Sequence, residues 1–322
     1  MNFRTIFVLA AVTLVVAATG AQAQAWPNRP VRIIIPYPPG DAADIMARLI
    51  GPKMSERLGQ PVVVENRAGA SGQIGLDVAA HATPDGYTLA VGQGGNLAVA
   101  PHTYKKLAYD PLRDFVPVAM MATNYLAIIA NIDTPFKTAG ELVAWAKANP
   151  GKLTVGTNGE GGLPHLSFEM LRTMAGFTFT HVPYKGASQT LADIVGGQLQ
   201  LAIGSYTSLA PQVQSGRVRL IAITNPVRDP RKPELPVAAD AVPGYGALGW
   251  FGFVAPAGTP QDIVLRLNDA INRAMNSPEI AEKMAAGGLS ITAGSPEYFG
   301  EVMRNDYARF GKLVRDIGFQ PQ

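Results

Sequence analysis

Short β-branched runs alternate along the chain with stretches whose apolar residues recur at helical spacing. Val31–Pro36 precedes a helical pattern over Asp44–Leu58, Val62–Glu65 precedes Ile74–Ala80, and Tyr87–Val91 closes this first series. Strands spaced by helices predict βαβ units and a parallel sheet. A second series places strands at Tyr125–Ala130, Leu153–Gly156, Thr178–Pro183, Leu199–Ile203 and Arg219–Thr224. Its helices are expected at Ala139–Ala148, ended by Asn149-Pro150-Gly151, at Leu166–Met174 and around Ala187–Val195. Two α/β sheets follow. The Pro/Gly-rich stretch Pro226–Gly249 leads to a strand at Trp250–Ala255, expected to cross back to the first unit. The expected domains are therefore 26–124 with 250–322, and 125–249. In the tail, Thr259-Pro260 opens a helix with Ile263, Leu267, Ile271 and Met275 on one face until Ser277-Pro278 stops it. Ser295-Pro296 opens another, striped by Phe299, Met303, Phe310, Leu313 and Ile317, and such stripes are core packing.

Four strand-to-helix junctions share one chemistry: Pro38-Pro39-Gly40, Gly69-Ala70-Ser71-Gly72 with Gly75, Gly156 through His165, and Pro183-Tyr184-Lys185-Gly186. Glycine at such a turn lets backbone N–H groups of the following helix reach an anion, and the helix start carries partial positive charge. A lone glycine turn is ordinarily just a tight turn. Two sheets facing each other would aim four such starts into one cleft, because open α/β sheets bind ligands at the carboxyl ends of their strands. Several helix ends, each contributing about 0.3–1 kcal/mol toward an anion, make a carboxylate trap. Asp41 and Asp44 complicate the first turn: either can cap the helix beyond it, and if Asp44 caps, Asp41 is free to face a polar or cationic group on the ligand.

Composition narrows the classes further. Of 322 residues, 47% are hydrophobic and 16% charged, enough for substantial cores and too apolar for disorder. Met1 through Arg4, an apolar run Ile6–Ala18 and the small-residue series Ala21–Ala25 read as a cleavable export signal over 1–25, the run being too short to span a bilayer. The absence of cysteine excludes disulfides, thiolate metal sites, a cysteine nucleophile and a lipidated N-terminal cysteine. A periplasmic location is expected. Net charge is +3 and the basic clusters are pairs such as Lys105-Lys106, so no nucleic-acid stripe is present. The first strand lacks the dinucleotide fingerprint, Gly69–Gly75 has the wrong spacing for it, and no G-x-S-x-G elbow occurs. His81, His102, His165 and His181 show no metal-ligand spacing. No cofactor or metal is expected. A secreted α/β hydrolase or oxidoreductase acting on a small carboxylate is the alternative to a binding protein, weakened by the lack of an assembled nucleophile, base or cofactor fingerprint.

At the turns the sequence resembles the Bug or TctC family, the solute receptors of tripartite tricarboxylate transporters. The stretches are "WPNRPVRIIIPYPPG", "GQPVVVENRAGASGQIG", "PDGYTLAVG", "YDPLRDFVPVA", "HVPYKGA", "GGQL" and "WFGFVAPAGTP", in order over nearly the whole chain after the signal. The resemblance implies a two-domain periplasmic binding protein of type II, the Venus-flytrap kind, with a ligand cleft between the domains. It implies a small carboxylate ligand, membrane transporter subunits as partners, and no enzyme activity; a monomer is expected. Its ligand loops fall on Pro38, Pro39, Gly40 and Asp44; on Gly69, Ala70, Ser71 and Gly72; on Thr157, Asn158, Gly159 and His165; and on Tyr184, Lys185 and Gly186. Tyr37, Asp41 and Tyr184 are added as candidate contacts. The family usually carries glycine where Asp41 stands and serine or threonine where Gly162 stands.

Overall fold

The computed structural model describes residues 26–321 apart from Asn158, Lys185, Gly186, Arg231, Gly287 and Gly288. The expected export signal over 1–25 and the predicted site residues Asn158, Lys185 and Gly186 thus lie outside the described residues. In chain order the strands are β1 Val31–Ile35, β2 Val62–Asn66, β3 Thr88–Gln93, β4 Phe115–Asn124, β5 Leu126–Asn131, β6 Thr154–Thr157, β7 Thr180–Pro183, β8 Leu201–Ser205, β9 Val218–Ile223, β10 Gly249–Pro256 and β11 Leu289–Ile291. The longer helices are α1 Ala42–Leu58, α2 Gln73–Ala80, α3 Ala139–Ala148, α4 Leu163–Ala175, α5 Ala187–Val195, α6 Tyr206–Gln214, α7 Gln261–Met275, α8 Pro278–Ala286 and α9 Pro296–Asp316.

Two sheets form, ordered β11-β4-β10-β3-β1-β2 and β7-β6-β8-β5-β9. The expectation of parallel sheets holds only inside the βαβ units, where β1 runs parallel to β2 and β3, and β6 parallel to β7 and β8. Elsewhere the pairing is antiparallel: β10 against β3 and β4, β11 against β4, and β5 against β8 and β9. The reason is chain path. A strand reached through a helix crossover must return in the same direction, whereas β5 and β10 arrive from the other sheet and carry no such constraint. The chain leaves the first sheet at Asn124, pairs in the second from Leu126, and rejoins the first at Gly249.

Strand β4 has no expected counterpart, because it is buried on both faces over Val118–Ala122 and shows no alternation. Its Pro117 sits opposite Val254, beside a register shift in β10, and such a shift accommodates a residue that cannot donate to the ladder. Pro278 both follows one helix and begins the next, since proline is tolerated in a first turn. Helices α1 and α7 cover one face of the first sheet, where Met46, Ile50, Val264 and Leu267 meet Ile33, Ile35, Leu89 and Phe253. On the other face Leu76 and Phe299 pack against Ile34 and Ala90, and this core continues without a break to Ile128, Phe168 and Leu201 of the second unit. Leu209 and Ile194 seal the second sheet's far face. Full burial of each large side chain such as Phe168 or Phe299 contributes about 1.5–3 kcal/mol, and both belong to the core that runs from β1 and β3 to β6 and β8.

Candidate functional site

Between the two sheets lies a cavity of about 640 Å³, at the ends of β3, β4, β8 and the start of β10. The first unit contributes Tyr37, Ser71, the Gln93–Asn96 turn and Tyr104; the second contributes 159–164 and Ser205; the crossing strands contribute Asn124, Leu126, Trp250 and Phe251. Tyr37 follows β1, and its hydroxyl lies 2.7 Å from Asn96 Nδ2. Asn96 also accepts at Oδ1 from the Gln93 backbone N–H at 2.8 Å, and its carbonyl accepts from the Tyr109 hydroxyl at 2.8 Å. Burial, reinforced by Asp41 and Tyr109, pushes the Tyr37 hydroxyl well above the ordinary tyrosine range despite the opposing Asn96 bond. It stays protonated.

Side-chain capping distinguishes the helix starts. Asp41 caps α1, accepting from the Ala43 N–H at 2.9 Å, whereas α2, α4 and α6 begin at Gly72, Gly162 and Ser205 with no side-chain cap. At the start of α4, beside Gly162 on the cavity wall, the Leu163 N–H has no acceptor among the described residues and Pro164 carries no N–H, whereas at the start of α6 the Tyr206 N–H is taken by the Tyr125 carbonyl at 2.8 Å. The expected convergence of four particular helix starts is corrected by the geometry: α1 is self-capped and off the wall, while Ser205 before α6 and the π-helical turn Gly95–Val99 reach the wall although sequence reasoning missed them. The start of α5 follows the undescribed Lys185 and Gly186.

Of the predicted site residues, Tyr37, Ser71 and Gly159 line the cavity. Ser71 sits at φ 55 in the left-handed region, and the Tyr104 hydroxyl lies 3.4 Å from its Oγ. The other predicted residues that the structure describes are not on the wall. Pro39 and Gly40 are exposed, and the Gly40 N–H donates to Asp44 at 2.9 Å. Asp44 is buried, its other oxygen accepting from Asn66 Nδ2 at 2.9 Å and Arg48 Nε at 2.8 Å. The roles of the two acids are thus the reverse of the arrangement that would leave Asp41 free: Asp41 caps, and Asp44 ties the loop.

Gly69, Ala70 and Gly72 form the left-handed turn that presents Ser71. A Cβ on Gly72 would approach Asn96 Nδ2 to 2.9 Å, so only glycine fits there. Thr157 is fully buried; its hydroxyl donates to the Gly159 carbonyl at 2.9 Å and meets His181 Nε2 at 2.7 Å. His165 accepts the Gly161 N–H at Nδ1, 3.0 Å away, and stacks on His181 with ring centroids 3.7 Å apart. Burial, then the neighbouring His165, lowers His181 to about 4. Thr157 and His165 therefore brace the 159–162 loop from behind. Tyr184 donates to Asp193 at 2.7 Å; burial and that bond push its hydroxyl up to about 12.

Sequence reasoning missed Gln93–Asn96, Tyr104, Asn124, Ser205, Trp250 and Phe251. Gly94-Gly95 after a strand carries the same signal as the four turns that were singled out. Trp250 and Asn124 carry none, since they reach the wall only because β4 and β10 cross between sheets. Trp250 is fixed from behind by its Nε1–H donating to Asp306 at 2.7 Å. Chemically the wall offers hydroxyls, amides and helix-start N–H groups around aromatic surface. Among the described residues Ser71 and Ser205 make no hydrogen bond to a histidine, and no three His, Cys, Asp or Glu side chains converge as a metal cage.

The family model described as Tripartite tricarboxylate transporter family receptor matches residues 46–319. The chain belongs to this family. A UPF0065 protein from the tcbD-tcbE intergenic region of Pseudomonas sp. strain P51 is 38% identical over 312 residues, covering 95% of this chain and 93% of that one. Protein BugT of Bordetella pertussis is 33% identical over 96% of this chain and 97% of its own. Among solved structures, R. palustris Rpa4515 with adipate matches with TM-score 0.79 and 34% identity, over 92% of this chain and 100% of its own. MatC from Rhodopseudomonas palustris with bound malate matches with TM-score 0.74 and 31% identity, over 90% of this chain and 100% of its own. The fold is that of a type II periplasmic binding protein, and the chain is a member of a solute-receptor family.

Proposed function

We propose that this receptor-family protein is exported to the periplasm through the signal at 1–25, captures a small carboxylate in the cavity between its sheets, and delivers it to the membrane subunits of a tripartite tricarboxylate-type transporter. One observation carries the reading: the start of α4, without a side-chain cap, and the Tyr37, Ser71, Tyr104 and Ser205 hydroxyls converge on a single cavity at the carboxyl ends of strands from both sheets. The adipate and malate in the two related structures agree with it. Residues 26–124 with 250–322, and 125–249, act as the two closing domains, joined at Asn124–Leu126 and Ala247–Gly249. Turnover is not part of the function, and the ligand leaves as it arrived.

Differential scanning calorimetry against a panel of mono- and dicarboxylates, followed by mass spectrometry of the recovered ligand, tests this. A ligand at a hundred times its dissociation constant adds about 2.7 kcal/mol. That corresponds to roughly 4 °C in Tm for a chain of this size. No shift with any acid on demonstrably ligand-free protein would sink the receptor reading, and a chemically altered ligand would replace it with an enzyme.

A further inference from the structure

The Tyr37–Asn96 pair sets the polarity of one cavity wall. Asn96 is 2% exposed, and its side-chain oxygen faces the Gln93 backbone N–H. That N–H can only donate, so the amide oxygen belongs there and the NH2 group must face Tyr37. The Tyr37 oxygen therefore accepts from Asn96, 2.7 Å away, and its proton points elsewhere. No described residue accepts that proton, and both side chains line the cavity. Gly72 keeps the pair in place: with φ 92 and no side chain it leaves room that a Cβ, 3.3 Å from the Tyr37 hydroxyl, would take. Three turns, those after β1, β2 and β3, thus cooperate to orient a single O–H bond.

Resting on the carboxylate-receptor reading, we infer that Asn96 is a positioning residue that makes the Tyr37 hydroxyl an obligate hydrogen-bond donor to a ligand carboxylate, so that this wall selects an anionic acceptor over a donor group such as an ammonium. A hydrogen bond between a neutral donor and a charged acceptor inside a protein corresponds to roughly a tenfold to hundredfold change in affinity. Asn96→Asp keeps the Gln93 contact but puts an oxygen where the NH2 was. That oxygen accepts the Tyr37 proton and turns the hydroxyl away from the ligand.

The test is a double-mutant cycle by titration calorimetry on the full chain, using wild type, Tyr37→Phe, Asn96→Asp and the double variant with adipate, malate, benzoate and glutamate. Tyr37→Phe is expected to weaken carboxylate binding about tenfold or more. Asn96→Asp is expected to weaken it about tenfold more when Tyr37 is present than when Tyr37→Phe has already removed the hydroxyl, because the added charge acts in both backgrounds and the reversed hydroxyl in only one. A purely structural role would move the ligand-free Tm and leave that difference at zero. Equal losses in both backgrounds, or wild-type affinity in Tyr37→Phe, would overturn the proposal while leaving the receptor reading intact. Should Asn96→Asp not fold, Asn96→Ser takes its place in the same cycle, and equal losses with and without Tyr37→Phe overturn the proposal as before. Wild type binding none of the four probes, or any acid of the wider panel, defeats the receptor reading and the proposal with it.

Discussion

Replacing Asp44 by Asn separates a loop tie from a ligand contact. The wild-type carboxylate is 3% exposed and accepts from three donors: the Gly40 N–H at one oxygen, and Asn66 and Arg48 at the other. Asparagine keeps the shape, removes the charge and turns an NH2 group toward at least one of those donors. Breaking a hydrogen bond to a charged, buried acceptor costs about 1.5–3 kcal/mol. The Arg48 side chain is 51% exposed and finds water instead, and Asn66 also donates to the Tyr37 carbonyl at 3.0 Å, so the lower half of that range applies. A loss of about 2 kcal/mol lowers Tm by roughly 3 °C in a chain of this size.

The pH dependence checks the cause. Burial raises the Asp44 pKa, but the bonds from Gly40, Asn66 and Arg48 outweigh it and hold the group below 3.8. A carboxyl with a depressed folded pKa contributes stability above its unfolded pKa and loses it as pH falls through the folded one. The gap in Tm between wild type and Asp44→Asn is therefore expected to stay constant from pH 7 to pH 5 and to narrow below about pH 3.8, read by scanning calorimetry on ligand-free protein. An unchanged Tm at pH 7 together with weaker carboxylate binding would refute the reasoning and return Asp44 to the ligand, as the family resemblance implied.

Gly162→Ser places a hydroxyl at the start of α4, where the backbone (φ −79, ψ 168) suits a cap and the nearest atom to a Cβ is 3.8 Å away; a gain of a few tenths of a kcal/mol, roughly 1 °C in Tm, is expected, and a loss would show that the 159–162 loop has no room. Of the three tryptophans only Trp250 lines the cavity, so a saturating carboxylate is expected to change intrinsic fluorescence in wild type and not in Trp250→Phe, where a persisting response would place the ligand elsewhere. His181, lowered to about 4 by burial and by His165, binds fewer protons folded than unfolded, so wild type loses stability as pH falls from 6.5 to about 4. His181→Gln keeps a donor for Thr157 without that titration and is expected to flatten this limb in thermal melts between those pH values; an identical slope would mean that another group dominates it.

Local structure was legible in neighbouring residues. Period-two and period-3.6 patterns report which face of an element is buried, and glycine reports where the backbone must turn left-handed, so β1, α1, β6, α4 and the turns at Gly40, Gly69 and Gly159 were readable from neighbouring residues alone. Motif order likewise identified the family that the comparisons show. Strand direction was not readable, because β5 and β10 enter their sheets from across the molecule. Nor was the assignment of Asp41 to the cap and Asp44 to the loop, since two carboxylates three residues apart compete for the same N–H groups and only the placement of Asn66 and Arg48 settles which is neutralised. The cavity wall follows the same division. A turn that faces the cleft and one that braces it from behind use the same glycines and hydroxyls. What separates Ser71 from Thr157, or draws Asn96 and Trp250 to the wall, is the packing of one sheet against the other, a long-range burial term to which no stretch of neighbouring residues has access.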